Sequence, residues 1–288
     1  MYADYHIHTA FSDDSREPME NQIVKALELG LEEICFTDHV DYGIKKDWSE
    51  GNIQYRGGDG ISSDSTDAEP MANVDYPRYF EALKEMKEKY SGKIVIKKGL
   101  EFGIQTGTVE RYEKLYQTYA DELDFVLFSM HQVDNQELWN QEYQKGKSQK
   151  EYNEGYYREI YETMKRYHNY SVLAHLDLIN RYDKAGIYPF EKVEEMIAEI
   201  LKLAIRDGKG IEINTSSWHY GLTDTQPSRK ILKLYKDLGG TVLTIGSDAH
   251  MTKYLADHIK DAREILKNEI GFNSICTFEH MVPIFHKI

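Results

Sequence analysis

Cysteine is nearly missing from this chain: Cys35 and Cys276 are the only two in 288 residues. That excludes a disulfide framework, and since each sits in a hydrophobic, strand-like run, both are expected to be buried reduced thiols. Long apolar stretches are missing too. No opening segment resembles a signal peptide, and no run reaches the about 18 apolar residues that span a bilayer, so a soluble cytoplasmic protein is expected, with no membrane partner. Positive charge is scarce, with 35 Lys and Arg against 49 Asp and Glu and a net charge of −14. A surface this acidic repels a phosphate backbone, which argues against a nucleic-acid partner. Any anionic ligand must be drawn in by something local and positive.

What is present is length and alternation. A chain of 288 residues suits one α/β barrel, typically about 250 residues. Short runs rich in Val, Ile, Leu and Phe predict strands at Tyr5–His8, Glu33–Asp38, Ile94–Leu100, Phe125–Met130, Val172–His175, Gly210–Asn214 and Thr241–Ile245. A last short strand is predicted at Ser274–Phe278. Amphipathic stretches between them predict helices at Met19–Leu29, Tyr76–Tyr90, Thr108–Leu123, Tyr152–Tyr167, Phe190–Arg206, Ser228–Leu238 and Lys253–Asn268. Without a linker between halves, residues 1–288 read as a single closed barrel domain. One segment breaks the rhythm: Asp41–Asp75, which includes Arg56-Gly57-Gly58-Asp59-Gly60 and Ser62-Ser63-Asp64-Ser65, reads as a long loop insertion. It leaves the C-terminal end of a strand, and so would hang over the face where barrel enzymes keep their sites.

The histidines and carboxylates fall unevenly. Of eleven histidines, six close a strand or directly follow one: His6, His8, His39, His131, His175 and His250. Alternation along a strand puts His6 and His8 on one side, where both imidazoles can reach one ion. Glu101 follows an apolar run and needs a cation or a partner, because an unpaired buried carboxylate is costly. The run Gly246-Ser247-Asp248-Ala249-His250 offers another pair on one side. About five strand ends thus carry His, Asp or Glu on one face of the barrel. Mixed imidazole and carboxylate donors suit zinc, manganese or iron, and they are too many for one catalytic ion, which uses about three protein ligands.

These motifs resemble the PHP (polymerase and histidinol phosphatase) family, especially its stand-alone histidinol-phosphate phosphatases. The matching segments are His6-Ile7-His8-Thr9 with Ser12-Asp13-Asp14, Thr37-Asp38-His39, Gly99-Leu100-Glu101, Ser129-Met130-His131, Ala174-His175-Leu176-Asp177 and Gly246-Ser247-Asp248-Ala249-His250. The resemblance implies a distorted, TIM-like (β/α)7 barrel with three divalent ions at the C-terminal ends of its strands. One ion would take His6, His8, Glu101 and Asp248. Glu101 would bridge to a second, completed by His131 and His175. The third would take Asp14, His39 and His250. Many relatives carry histidine where Asp14 stands, and spacing favours Asp14 over Asp13 as the ligand.

The implied activity is metal-dependent hydrolysis of a small phosphomonoester, L-histidinol phosphate first, yielding L-histidinol and phosphate in histidine biosynthesis. Two ions can activate a water for in-line attack while a third offsets charge on phosphate. Glu101, Asp248 and His250 would serve the chemistry as ligands, and neither cysteine sits in a Cys-x5-Arg phosphatase loop. Arg181 and Arg158 are candidate phosphate partners, since arginine binds phosphate in a bidentate fork. His219 is a candidate proton donor or substrate contact, Asp177 a group that orients a ligand histidine, and Asp41, Tyr42 and Trp48 candidate partners for the substrate's ammonium and imidazole. Three other readings stay open. The same fold could act on phosphotyrosine, a sugar phosphate or a nucleotide phosphodiester. An amidohydrolase-like C–N hydrolase would typically need a lysine bridge where this chain has Glu101. A metal-binding protein without catalysis would not require so full a ligand set. Nothing in the sequence specifies an oligomeric state.

Overall fold

The computed structural model describes residues 1–57, 60–62 and 69–288. Seven parallel strands form the central sheet: β1 (Ala3–Ile7), β2 (Glu33–Phe36), β3 (Val95–Gly103), β4 (Phe125–Ser129), β5 (Val172–Leu173), β6 (Gly210–Asn214) and β7 (Leu243–Gly246). Each pairs with the next in chain order. The ring is drawn shut where the end of β1 meets the loop after β7: the amide of His8 donates to the Ala249 carbonyl at 3.0 Å, and the Ala249 amide to His6 at 3.2 Å. Strand-by-strand adjacency with helical crossovers is the arrangement expected for a barrel. Its distortion is local: β1 slips register against β2 between Asp4 and Ile7, and β5 pairs through only Val172 and Leu173.

Helices α1 (Met19–Leu29), α2 (Tyr76–Lys89), α3 (Val109–Tyr119), α4 (Gln149–Met164), α5 (Glu194–Arg206), α6 (Arg229–Asp237) and α7 (Ile259–Glu264) connect the strands. Local chemistry sets their ends. A reciprocal Ser148–Glu151 capping box starts α4 three residues before the predicted boundary. The stretch predicted as one helix from Lys253 instead makes a short turn at Thr252–Tyr254, then α7, then a wider π turn over Ile265–Ile270. Apolar stripes such as Ile197, Ile200, Leu201 and Ala204 of α5 are buried, which supplies the non-directional drive holding helices to sheet. No helix among the described residues is long and apolar enough to cross a membrane.

Two further features correct the sequence reading. Ser274–Glu279 does form a strand, but it pairs antiparallel with Val282–Lys287 as a hairpin outside the barrel. It seats Phe278 against Tyr5 and Phe125 and buries Cys276 in the same apolar cluster as Cys35. Both thiols are free. The insertion at 41–75 is not plain loop: Tyr55–Gly57, Gly60–Ser62 and Glu69–Pro70 make a small antiparallel sheet. Gly58, Asp59 and 63–68 lie outside the described residues.

Candidate metal centre

Nine donor side chains from both ends of the chain converge at the C-terminal mouth of the barrel. His6 and His8 come from the end of β1, and Glu101 from within β3, which runs three residues beyond the predicted end. After β2 the chain breaks at Thr37-Asp38 and pairs again with β3, setting His39 opposite Glu101. His131, His175, and Asp248 with His250 follow β4, β5 and β7. Asp14 alone stands on a loop away from any strand.

Distances arrange these donors in three adjoining groups, with His39 between two of them, its Nδ1 3.0 Å from Glu101 Oε2. Glu101 Oε2 lies 3.1 Å from His6 Nε2 and 3.4 Å from His8 Nε2, while Asp248 Oδ1 lies 3.6 and 3.3 Å from the same two nitrogens. The other oxygen of the carboxylate, Glu101 Oε1, lies 3.1 Å from His131 Nε2 and 2.9 Å from His175 Nε2. Asp14 Oδ2 lies 3.4 Å from His39 Nε2 and 3.2 Å from His250 Nε2. Ligands bound at about 2.0–2.2 Å around one ion stand roughly 3.0–3.5 Å from each other, so each group has the spacing of a coordination sphere.

The proton positions point the same way. His6 Nδ1 donates to Glu212 at 2.7 Å, His131 Nδ1 to Asp41 at 2.7 Å, and His250 Nδ1 to the Asp248 carbonyl at 3.0 Å. His8 Nδ1 meets Ser12 Oγ at 3.2 Å. In these four rings the outer nitrogen is engaged, which turns Nε2 inward; His39 and His175 have no such partner on Nδ1. His6 Nε2, His8 Nε2 and Glu101 Oε2 are buried with no hydrogen-bond partner. Orphaned buried groups of this kind are costly, and a metal ion is the partner their chemistry fits. Clusters able to hold an ion are indeed found among His6, His8, His39, Glu101, His131, His175, Asp248 and His250.

Electrostatics follow from the packing. Burial pushes the Glu101 carboxyl up, but His6, His131 and His39 together hold it well below the usual carboxylate range. Asp41 and Glu101 overcome burial to raise His131 to about 9. Burial and the neighbouring His250 and His39 push His8 well down. Two of the donors have unusual backbone: His175 and Asp248 adopt φ of 25° and 56°, conformations non-glycine residues rarely hold without compensation.

A supporting ring orients these donors. Glu212, buried in β6, also accepts from the His175 amide at 3.0 Å. Asp38 accepts from the Thr9 amide at 2.7 Å and from Ser12 Oγ at 2.8 Å, fixing the loop toward Asp14. Asp4 accepts from the Ser247 and Ala256 amides, both at 2.9 Å, anchoring the loop that carries Asp248 and His250. Two glycines make room: a Cβ on Gly103 would stand 1.8 Å from Asp41 Oδ1, and one on Gly246 would stand 2.4 Å from Glu212 Oε1. Such partners set ring orientation and ligand basicity.

The donors open into a cavity of about 470 Å³. Arg181 lines it, buried, with Nε and one terminal nitrogen on Gln226 and a bond to Ser216 Oγ of 2.6 Å. Its other terminal nitrogen faces the centre, 3.6 Å from Asp248 Oδ2. His219 lines it too, stacked on Tyr254 at 4.2 Å, and burial with the nearby Arg181 lowers its pKa from the ordinary value. Arg158 does not: it is exposed on the outer face of α4. Asp177 orients no histidine, and instead accepts from the Ser228 amide at 3.0 Å, before α6. Asp41 is committed to His131 and Lys45, Tyr42 to Asp47 and Tyr76, and Trp48 lines a separate depression. In their place the cavity wall holds Glu69 and Arg56 from the insertion, with Arg56 paired twice to Glu137 at 3.1 and 2.9 Å over the Trp139 ring.

The chain's likenesses agree with this geometry. The sequence model of the PHP domain family matches residues 4–216. The histidinol-phosphatase of Lactococcus lactis is 30% identical over 96% of this chain and 94% of its own. A probable histidinol-phosphatase of Clostridium acetobutylicum is 27% identical over 93% and 94%. A solved structure of histidinol phosphate phosphatase from Lactococcus lactis, complexed with zinc, L-histidinol and phosphate, superposes with a TM-score of 0.78 at 28% identity, covering 98% of each chain.

Proposed function

The chain belongs to the PHP domain family, and from that membership and the donor geometry we infer that it hydrolyses L-histidinol phosphate to L-histidinol and phosphate. It is a histidinol-phosphatase, a phosphoric monoester hydrolase of histidine biosynthesis. The observation that carries the reading is the Glu101 carboxylate, whose two oxygens face two different donor groups.

We assign three divalent ions to the centre, one per donor group, with zinc, manganese or iron as candidates; zinc is the metal in the related Lactococcus structure. His6, His8, Glu101 and Asp248 would hold one, Glu101, His131 and His175 a second, and Asp14, His39 and His250 the third. When bound, the ions supply Lewis acidity, activating water at neutral pH and offsetting charge on the phosphoryl group. The chain's own residues orient the substrate. With its other donors on Gln226 and Ser216, the terminal nitrogen of Arg181 that faces Asp248 is placed to grip a phosphate oxygen. Burial lowers the His219 pKa from its ordinary value and so favours the neutral ring, which suits a substrate contact better than a proton donor. The wall carrying Arg56, Glu69 and Glu137 would meet the part of the substrate remote from phosphate. Ligands from residues 6 to 250 meeting in one centre support treating 1–288 as one domain, and the small-molecule chemistry supports a cytoplasmic site of action.

The test is phosphate release by metal-loaded protein from L-histidinol phosphate, p-nitrophenyl phosphate, phosphotyrosine and a phosphodiester. A kcat/KM preference for histidinol phosphate of roughly 10²-fold or more is expected, since remote binding contacts are spent on the transition state. Equal, slow rates on all the monoesters would refute the substrate, and preference for the diester would favour a nuclease-like activity.

A further inference from the structure

Lys45 lies in the insertion, yet its side chain is buried beside the metal centre. Its ammonium sits 2.5 Å from Asp13 Oδ1 and 2.8 Å from Asp41 Oδ2. The other Asp41 oxygen accepts from His131 Nδ1 at 2.7 Å, and His131 Nε2 lies 3.1 Å from Glu101. On its far side Lys45 holds Asp13, the chain neighbour of Asp14. The pair therefore joins two donor groups that share no strand.

Asp14 is the donor with the weakest support. The other eight sit on strands or on the turns that leave them, whereas Asp14 stands on a loop and its side chain is 48% exposed. Asp38 steadies the start of that loop through Thr9 and Ser12. On either side of Asp14 the chain is held once: Ser15 Oγ donates to the His250 carbonyl at 2.9 Å, and Asp13 forms the charged contact, with the buried Lys45. The same contact explains why Asp13 and Asp14 divide their roles: Asp13 faces Lys45, and Asp14 faces His39 and His250.

We propose that Lys45 is a positioning residue for the Asp14–His39–His250 ion, binding Asp13 so that the Asp14 carboxylate is held at that ion and braced against the Asp41–His131 pair. The inference rests on the three-ion reading above. Without the ammonium, Asp13 and Asp41 would be buried carboxylates lacking their cation, and Asp13 would turn toward solvent. Asp14 would follow it.

The experiment counts ions per chain by elemental analysis after dialysis at fixed, low free zinc, alongside a thermal melt. In Lys45→Met and, separately, Asp13→Asn, retention of one ion should weaken roughly 10- to 100-fold, the range typical of lost outer-shell support, while two ions stay bound. Lys45→Arg should restore much of the loss. The double variant should be no worse than Lys45→Met, which already removes the contact with Asp13. Wild-type retention of all three ions in both single variants would overturn the proposal. So would equal loss of all three ions with a lowered melt, which would make Lys45 a support of the fold only. Fewer than three ions in the wild type would overturn the three-ion reading itself.

Discussion

Glu101→Gln should abolish useful phosphatase activity, lowering kcat by roughly 10²–10³-fold or more, on the scale of removing a group that acts on charge in the transition state. The substitution is nearly isosteric, so packing around the site survives. What changes is that one oxygen becomes an NH2 group and the negative charge disappears. Each Glu101 oxygen faces a separate donor group, at 3.1 and 3.4 Å on one side and 3.1 and 2.9 Å on the other. An amide can therefore serve at most one of them. Bound metal should fall below the wild-type count with both bridged positions affected, while the thermal transition stays cooperative. Full metal content and near-normal rates in Glu101→Gln would mean the carboxylate does not link the ions.

Arg181→Met should leave metal content intact and lower kcat/KM by about 10²-fold, because a charge-assisted hydrogen bond to phosphate is worth about 1.5–3 kcal/mol. Three of the guanidinium contacts go to Gln226 and Ser216, which lock its plane and leave one edge for the ligand. Tyr220 stacks on it at 4.2 Å. Lysine should rescue poorly, since a point charge cannot keep that fork. The loss should be largest for weakly held substrates and should appear for every phosphomonoester, as phosphate is the shared feature. His219→Asn, in contrast, should raise KM and leave the alkaline limb of the pH profile in place. A His219 proton donor would fail as pH rises through its own lowered pKa, so loss of that high-pH limb in His219→Asn would restore the proton-donor role.

Much of this site is legible in the sequence because strands make alternation and termination visible. His6 and His8, His131, His175, and Asp248 with His250 all close hydrophobic runs, and the barrel converts run endings into one face. Glu101 was readable for another reason: a carboxylate in an apolar run needs compensation. The same argument applies to Glu212 and Asp4, which sit inside β6 and β1, and their supporting roles follow from it once the strands are placed. Lys45 and Arg56 gave no such signal. They lie in the irregular insertion, where neither period nor hydrophobic run fixes direction, and their partners Asp13 and Glu137 are distant in sequence. Asp177 misled for a related reason: it follows His175 by two residues, but the strand has ended and the chain turns, so alternation no longer puts both on one side. Arg158 failed on helical geometry, since its place on α4 faces solvent and its neighbours Tyr156 and Tyr157 face the core.

The dependence of this chemistry on three ions is tested by a titration of metal-free protein, with phosphate release from L-histidinol phosphate followed against ions bound per chain. Turnover should be negligible without metal, recover as the Glu101-linked positions fill, and reach its full rate only when three ions are bound. Full turnover in chelated protein, or none with all three ions in place, would contradict it.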